Sequence, residues 1–348
     1  MYRTIEQTHR VKAYRIFPPA DFGKWARICE HIIRHYNCGW AEGFYLDIKY
    51  WEIWNEADHG PTPERNAMWK GTPEQFYEMY TVAAKHLKNC FGDSIKVGGY
   101  ASSGLGYVLS YPEKFGMDWV PEHTDGYTTD RGEYMANFFL GFLEYISAHK
   151  APLDFFSWHA YGLETEQMVK CTYYIDKKLA EYGYGHAENQ LNEYSIEPAA
   201  KYQGTCTAAA RCTAIMCAMQ NTSTNILCLY DARMSASIYA AVFNSITKMP
   251  YPMYYALKAY GELYMLENQV QAEITGDGLY VQAAGKDDRK AVLICNISEE
   301  AKEIETNLEA DMKGYIIEEG HMLEEVEIDT KGFVLPANSV ILFSNVEE

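Results

Sequence analysis

Tyr50-Trp51-Glu52-Ile53-Trp54-Asn55-Glu56 is the stretch on which the fold turns. Lys49 to Asn55 reads as a short β-strand, and that strand delivers Glu56 at its carboxyl end. A second stretch, Glu188-Asn189-Gln190-Leu191-Asn192-Glu193-Tyr194, repeats the form: a strand over His186 to Asn192, then Glu193. Enzymes built on a ring of parallel strands hold their chemistry at the carboxyl ends of those strands. Glu52 lies mid-strand and Glu188 near a strand's start, at the stability face, so both fit that role less well. Cleaving a glycosidic bond with retention needs two carboxyl groups about 5 Å apart, one to protonate the leaving oxygen and one to attack C1. Two glutamates at nearby strand ends can meet that requirement.

Outward from these strands, helix and strand patterns alternate to about residue 266. Asp21 to Tyr36 has apolar residues at helical spacing (Phe22, Trp25, Ile28, Cys29, Ile32, Ile33). Thr72-Pro73-Glu74-Gln75 predicts a helix start with an N-cap, a proline in the first turn and a capping-box Gln, running to about Phe91. A strand over Lys96 to Gly99 precedes a long loop, Tyr100 to Arg131, of a length that usually signals function. Then follow a helix at Tyr134 to Ala148, a strand at Asp154 to His159, a helix at Glu166 to Glu181, one unbroken helix at Ala199 to Gln220, a strand at Asn225 to Tyr230 and a helix at Met253 to Leu266. Such alternation predicts a parallel sheet in a barrel or an open α/β fold. After Glu267 strand-like runs alternate with turns (Gly278 to Ala283, Lys290 to Cys295, Gly314 to Ile317, Val340 to Phe343), which predicts a small antiparallel β-sandwich over 267–348 behind a barrel domain over 1–266.

A net charge of −18 argues against nucleic acid or an anionic membrane as partner, since both need a basic surface. No apolar run reaches the length of a membrane span, and Met1-Tyr2-Arg3-Thr4-Ile5-Glu6 lacks the apolar core of a signal peptide. The nine cysteines show neither disulfide nor metal spacing, so a reduced, cytoplasmic protein without metal or other cofactor is expected. With 29 Tyr and 7 Trp the chain is rich in the flat rings on which sugar C–H faces stack, though such rings also fill cores.

WEIWNE and LNEY, together with Phe156-Ser157-Trp158-His159-Ala160-Tyr161-Gly162 on the strand between them, resemble the clan A glycoside hydrolases, family 39 in particular. The resemblance extends over most of residues 15–266 and implies a (β/α)8 barrel of TIM type. By it Glu56 is acid/base, Glu193 is nucleophile, Asn55 hydrogen-bonds the sugar 2-hydroxyl, and His159 with Tyr161, which share a strand face, line the sugar site. The acid/base role requires a raised pKa for Glu56 beside an ionised Glu193. Ala57 stands where the clan usually has proline, a change of loop geometry. Asp231 and Arg233, at the last barrel strand, where many clan members carry a tryptophan platform, read as a structural ion pair ahead of a substrate contact.

Counting strands, Glu56 ends the second element, if Arg10 to Phe17 or Tyr2 to Ile5 is the first, and Glu193 ends the fifth. That spacing matches the clan's fourth and seventh strands, which leaves about six strands where a barrel needs eight and points to roughly 60–80 residues absent at the N-terminus. An incomplete barrel exposes unpaired edges, so a homo-oligomer covering the gap is expected. The function implied is a retaining, exo-acting, xylosidase-like glycosidase acting on a carbohydrate substrate; the alternative is a catalytically impaired carbohydrate-binding remnant of such an enzyme.

Overall fold

The structure is a computed structural model that describes residues 16–62, 64–117, 129–309 and 311–346. The chain builds α1 (Phe22–Cys38), β1 (Tyr50–Glu52), α2 (Pro73–Phe91), β2 (Lys96–Ser102), α3 (Asp130–Ala148), β3 (Phe155–Tyr161), α4 (Thr165–Glu181), β4 (Glu188–Ser195), α5 (Cys206–Gln220), β5 (Thr224–Leu229) and α6 (Pro252–Met265). Strands β1 to β5 form one sheet in chain order, parallel where β1 meets β2 (Glu52 opposite Gly98) and where β2 meets β3 (Gly98 opposite Phe155). Among the described residues this is an incomplete (β/α) barrel of five parallel strands. Both candidate strand-opening segments, Arg10 to Phe17 and Tyr2 to Ile5, fall wholly or largely outside the described residues, so the count of six stands at five within them.

Local chemistry sets the helix boundaries. At α2, Gln75 N–H donates to Thr72 Oγ1 at 3.3 Å and Thr72 N–H donates to Gln75 Oε1 at 2.9 Å, the reciprocal capping box its residues predict. Helix α3 starts earlier than expected because Thr129 caps it, accepting from Gly132 N–H at 3.1 Å. The expected unbroken helix over Ala199 to Gln220 is in fact two: a short turn, Ala199–Tyr202, and then α5. Gly204 at φ +76° turns the chain and Thr205 caps the new start. Within the long loop lie two short helical turns, Tyr107–Ser110 and Pro112–Phe115, while 118–128 lie outside the described residues.

The described residues form two compact units. The first takes in the chain up to Ala160 with Lys170–Glu193 and Ser223–Cys228; the second takes in Tyr161–Val169, Tyr194–Thr222 and the chain from Leu229 onward. In the first, α2 and α3 lay aromatic rings on the sheet: Phe76, Phe138 and Phe142 surround Tyr100, with centroids 5.0 to 5.5 Å from it, and Phe156 joins at 5.8 Å. Such edge and tilted pairs add about 0.5–1.5 kcal/mol each to their area burial. Gly98 lets the strands close up, since a Cβ there would collide with the Phe155 carbonyl.

The second unit holds eight antiparallel strands: β6 (Asn268–Val270), β7 (Leu279–Lys286), β8 (Arg289–Asn296), β9 (Lys302–Glu305), β10 (Lys313–Glu318), β11 (His321–Val326), β12 (Gly332–Leu335) and β13 (Ser339–Ser344). Six of them make a sheet in the order β11-β10-β13-β8-β7-β6, and β12 pairs with β9. One face of the large sheet (Leu293, Ile317, Leu342) packs on Ala209, Ala256 and Ala259 of α5 and α6. The other face (Ile294, Ile341, Phe343) packs on Ile304, Phe333 and Leu335 of the strand pair. No helix among the described residues is long and apolar enough to cross a membrane.

Candidate active site

Strand β1 ends at Glu52, yet its line continues: Ile53 N–H donates to Gly98 O at 2.9 Å. The chain then leaves the sheet through left-handed residues, Trp54 at φ +74° and Glu56 at φ +51°. A non-glycine residue held there stores about 1–3 kcal/mol. Two anchors hold the turn, the Trp54 indole donating to Met68 O at 3.0 Å and Glu56 N–H donating to Ala101 O at 2.9 Å. Asn55 rides the same turn, half-buried. Behind it Asp58 is fully buried, accepting from the Ser102 hydroxyl at 2.6 Å and from Ser103 N–H at 2.9 Å. Burial pushes the Asp58 carboxyl up, with Ser102 pulling the other way.

His159 projects from β3 and is 1% exposed. Its Nδ1 lies 2.9 Å from Glu56 Oε1 and its Nε2 lies 3.6 Å from Glu193 Oε2 on β4, so one imidazole bridges two carboxylates through opposite nitrogens. The donor atoms of Glu56, His159 and Glu193 all fall within 4.8 Å of one another. On its other oxygen Glu56 meets His59 Nδ1 at 3.2 Å, and Arg131 donates to the His59 carbonyl at 2.8 Å.

These contacts correct the expectation of a raised Glu56 pKa. Burial would raise it, but the hydrogen bonds from His159 and His59 outweigh burial and hold the carboxyl at about 2. His159 moves the opposite way: burial pulls it down, and its bond to Glu56 with the charge of Glu193 lifts it above its ordinary value. Both shifts run the same way, favouring an ionised Glu56 beside a charged imidazole. Glu52 keeps an exposed edge but is crowded by protein, which pushes its carboxyl up against hydrogen bonds from Ser157 and Asn192. Two carboxylates and an imidazole are also a donor set for a divalent cation. Here each ring nitrogen faces a different carboxylate, an arrangement that suits a proton better than one shared metal.

The sheet thus gathers Glu56, His159 and Glu193, with Asn55 beside them. Tyr161 belongs to the second unit, where its ring lies 5.7 Å from Tyr239 and 6.5 Å from Tyr230. Asp231 and Arg233 form the expected ion pair at 2.5 Å. Glu188 pairs with Lys96 at the opposite end of the strands from Glu56. Sequence reading missed His59, Asp58 and the Glu52–Asn192 contact. Asp58 and His59 follow the Asn-Glu pair directly, a signal that could have placed them.

The sequence model of the glycosyl hydrolases family 39 matches residues 6–200, more than half of the chain. The chain belongs to glycoside hydrolase family 39. Among relatives of this family 39 protein is a β-xylosidase of Caldicellulosiruptor saccharolyticus, 25% identical over 142 residues, which are 40% of this chain and 23% of that one. The chain spans about a quarter of the length of the curated relatives it matches. A glucosidase from Croceicoccus marinus superposes with TM-score 0.71 at 21% identity, over 94% of this chain and 75% of that one. A family 39 β-xylosidase from Caulobacter crescentus does so with TM-score 0.62 at 16% identity, over 94% and 73%. At such identities the family 39 protein shares their fold.

Proposed function

We propose that this chain is a retaining, exo-acting glycosidase, β-xylosidase-like in substrate, with Glu193 as nucleophile and Glu56 as acid/base. The observation that carries the reading is the approach of the two carboxylates. Their oxygens lie within 4.8 Å, on the retaining side of the separations that divide retaining from inverting enzymes. Glu193 attacks C1 of the sugar while the glycosidic oxygen takes a proton from Glu56, which breaks the bond and leaves a glycosyl ester on Glu193. Glu56 then takes a proton from water, the hydroxide so formed attacks C1, and Glu193 is released. Asn55, on the turn that carries Glu56, is assigned to the sugar's 2-hydroxyl.

His159 supplies the proton that Glu56 lacks at rest. An uncharged sugar seated on Glu56 displaces water and raises its pKa. The proton on Nδ1 then passes to Oε1, leaving a neutral imidazole beside a carboxylic acid. We infer further that two copies pair over the flank bearing α1. There Ile28, Ile32, Trp40, Phe44, Tyr45 and Leu46 are exposed together, Tyr45 to 80%, an apolar surface that invites a partner.

The test is a panel of nitrophenyl xyloside, glucoside, galactoside and arabinoside. Wild type is expected to turn over one of them, and Glu193→Ala or Glu56→Ala to lose at least about 100-fold in rate. A second reading, a carbohydrate-binding remnant, draws on the sheet's five described strands. Folded wild type that binds a sugar but cleaves none of the panel would favour it.

A further inference from the structure

Elsewhere in the first unit, α1 and α2 bring a second cluster of ligand-type side chains together. His86 and Cys90 stand one turn apart on α2, at i and i+4, so their side chains share a face. Glu30 reaches them from α1, its Oε2 lying 2.7 Å from His86 Nε2, and Cys90 Sγ lies 3.8 Å from the same nitrogen. All three donor atoms fall within 4.8 Å of one another, and all three residues are partly open to solvent.

We propose that Glu30, His86 and Cys90 form a binding site for a thiophilic divalent cation of the zinc type, tying α1 to α2 and leaving a fourth position to water. Thiolate, imidazole and carboxylate are the three ligand types zinc takes. Bonds of about 2.0–2.3 Å at tetrahedral angles hold neighbouring donors roughly 3.3–3.8 Å apart. The Cys90–His86 distance already meets that span, and the Glu30–His86 hydrogen bond needs to open by about 0.6 Å. Arg34 donates to the other Glu30 oxygen at 2.7 Å, with its guanidinium held 5.1 Å over the Phe91 ring. That contact fixes Glu30 as a one-oxygen ligand aimed at the cluster. A simple ion pair between Glu30 and His86 would be complete without the thiol. On binding, Cys90 gives its proton to solvent, and the imidazole proton on the Glu30 side moves to Nδ1 or to solvent.

The test uses the full chain, reduced, stripped of metal and titrated with Co2+ alone in the absence of oxygen. Wild type is expected to develop the near-ultraviolet thiolate-to-cobalt band and the strong visible bands of a tetrahedral site, both bleached by Zn2+. Cys90→Ser removes the near-ultraviolet band, and His86→Gln weakens binding by at least about tenfold. Cys38→Ser, which changes an exposed thiol outside the cluster, keeps the bands. Circular dichroism confirms that each variant is folded. No thiolate band from wild type, or one that survives Cys90→Ser, overturns the proposal.

Discussion

Glu56 stands in a left-handed backbone conformation with a histidine on each carboxylate oxygen. Its pKa falls from an ordinary 4.5 to about 2, so it contributes stability above pH 4.5 that fades as pH drops toward 2. His159 is raised above its ordinary 6.5, so its contribution is full below 6.5 and fades as pH climbs through the raised value. The pair therefore stabilises most between about pH 4.5 and 6.5. Melting of wild type is expected to fall between about pH 6 and pH 9, and to fall less in His159→Gln, by differential scanning calorimetry across that range. The same variant, having lost the proton store, should drop at least about tenfold in kcat/KM on whichever glycoside wild type cleaves. Strand-end glutamates could be read from the sequence because the chain itself carries them to the rim. The sign of the Glu56 shift could not, because the imidazole that lowers it comes from a residue 103 positions away.

At the scale of elements, the signals that held were those in which a side chain closes a backbone bond nearby. Thr72→Ala opens the capping box of α2 and should cost about 1 kcal/mol, read from urea unfolding. Gly98→Ala should cost more, because the new methyl meets the Phe155 carbonyl rather than a movable side chain. A melting temperature equal to wild type in Gly98→Ala would mean that β2 and β3 are not held in this register. The Ala199 to Gln220 helix misled because alanine propensity outshouts one glycine, although Gly204-Thr205 contains both the turn and the cap. Strands β6, β9, β11 and β12 escaped notice for a different reason. Strands β6, β9 and β12 run only three or four residues, and β11 (His-Met-Leu-Glu-Glu-Val) breaks its apolar run with two adjacent glutamates. Their apolar partners lie on other strands, where period-two counting does not look.

For the whole molecule, the repeating strand–helix order announced a parallel sheet, and the spacing of the two glutamates, β1 to β4, is the three-strand separation read from the sequence. If two copies cover the α1 flank, light scattering at micromolar concentration should return a dimer, and Tyr45→Ser with Leu46→Ser should return a monomer of unchanged helix content. A monomeric wild type would sink that pairing. The helical floor beneath the C-terminal sheet has a consequence for how such a protein can be cut and recombined. Helices α5 and α6 precede the sheet in sequence but share its oil, with Ala209, Ala256 and Leu263 lying against Leu293 and Leu342. A splice placed at the apparent seam near residue 266 would tear a single interior in half. Neither product should be a portable module, and a donor gene would have to bring α5 and α6 along with its strands.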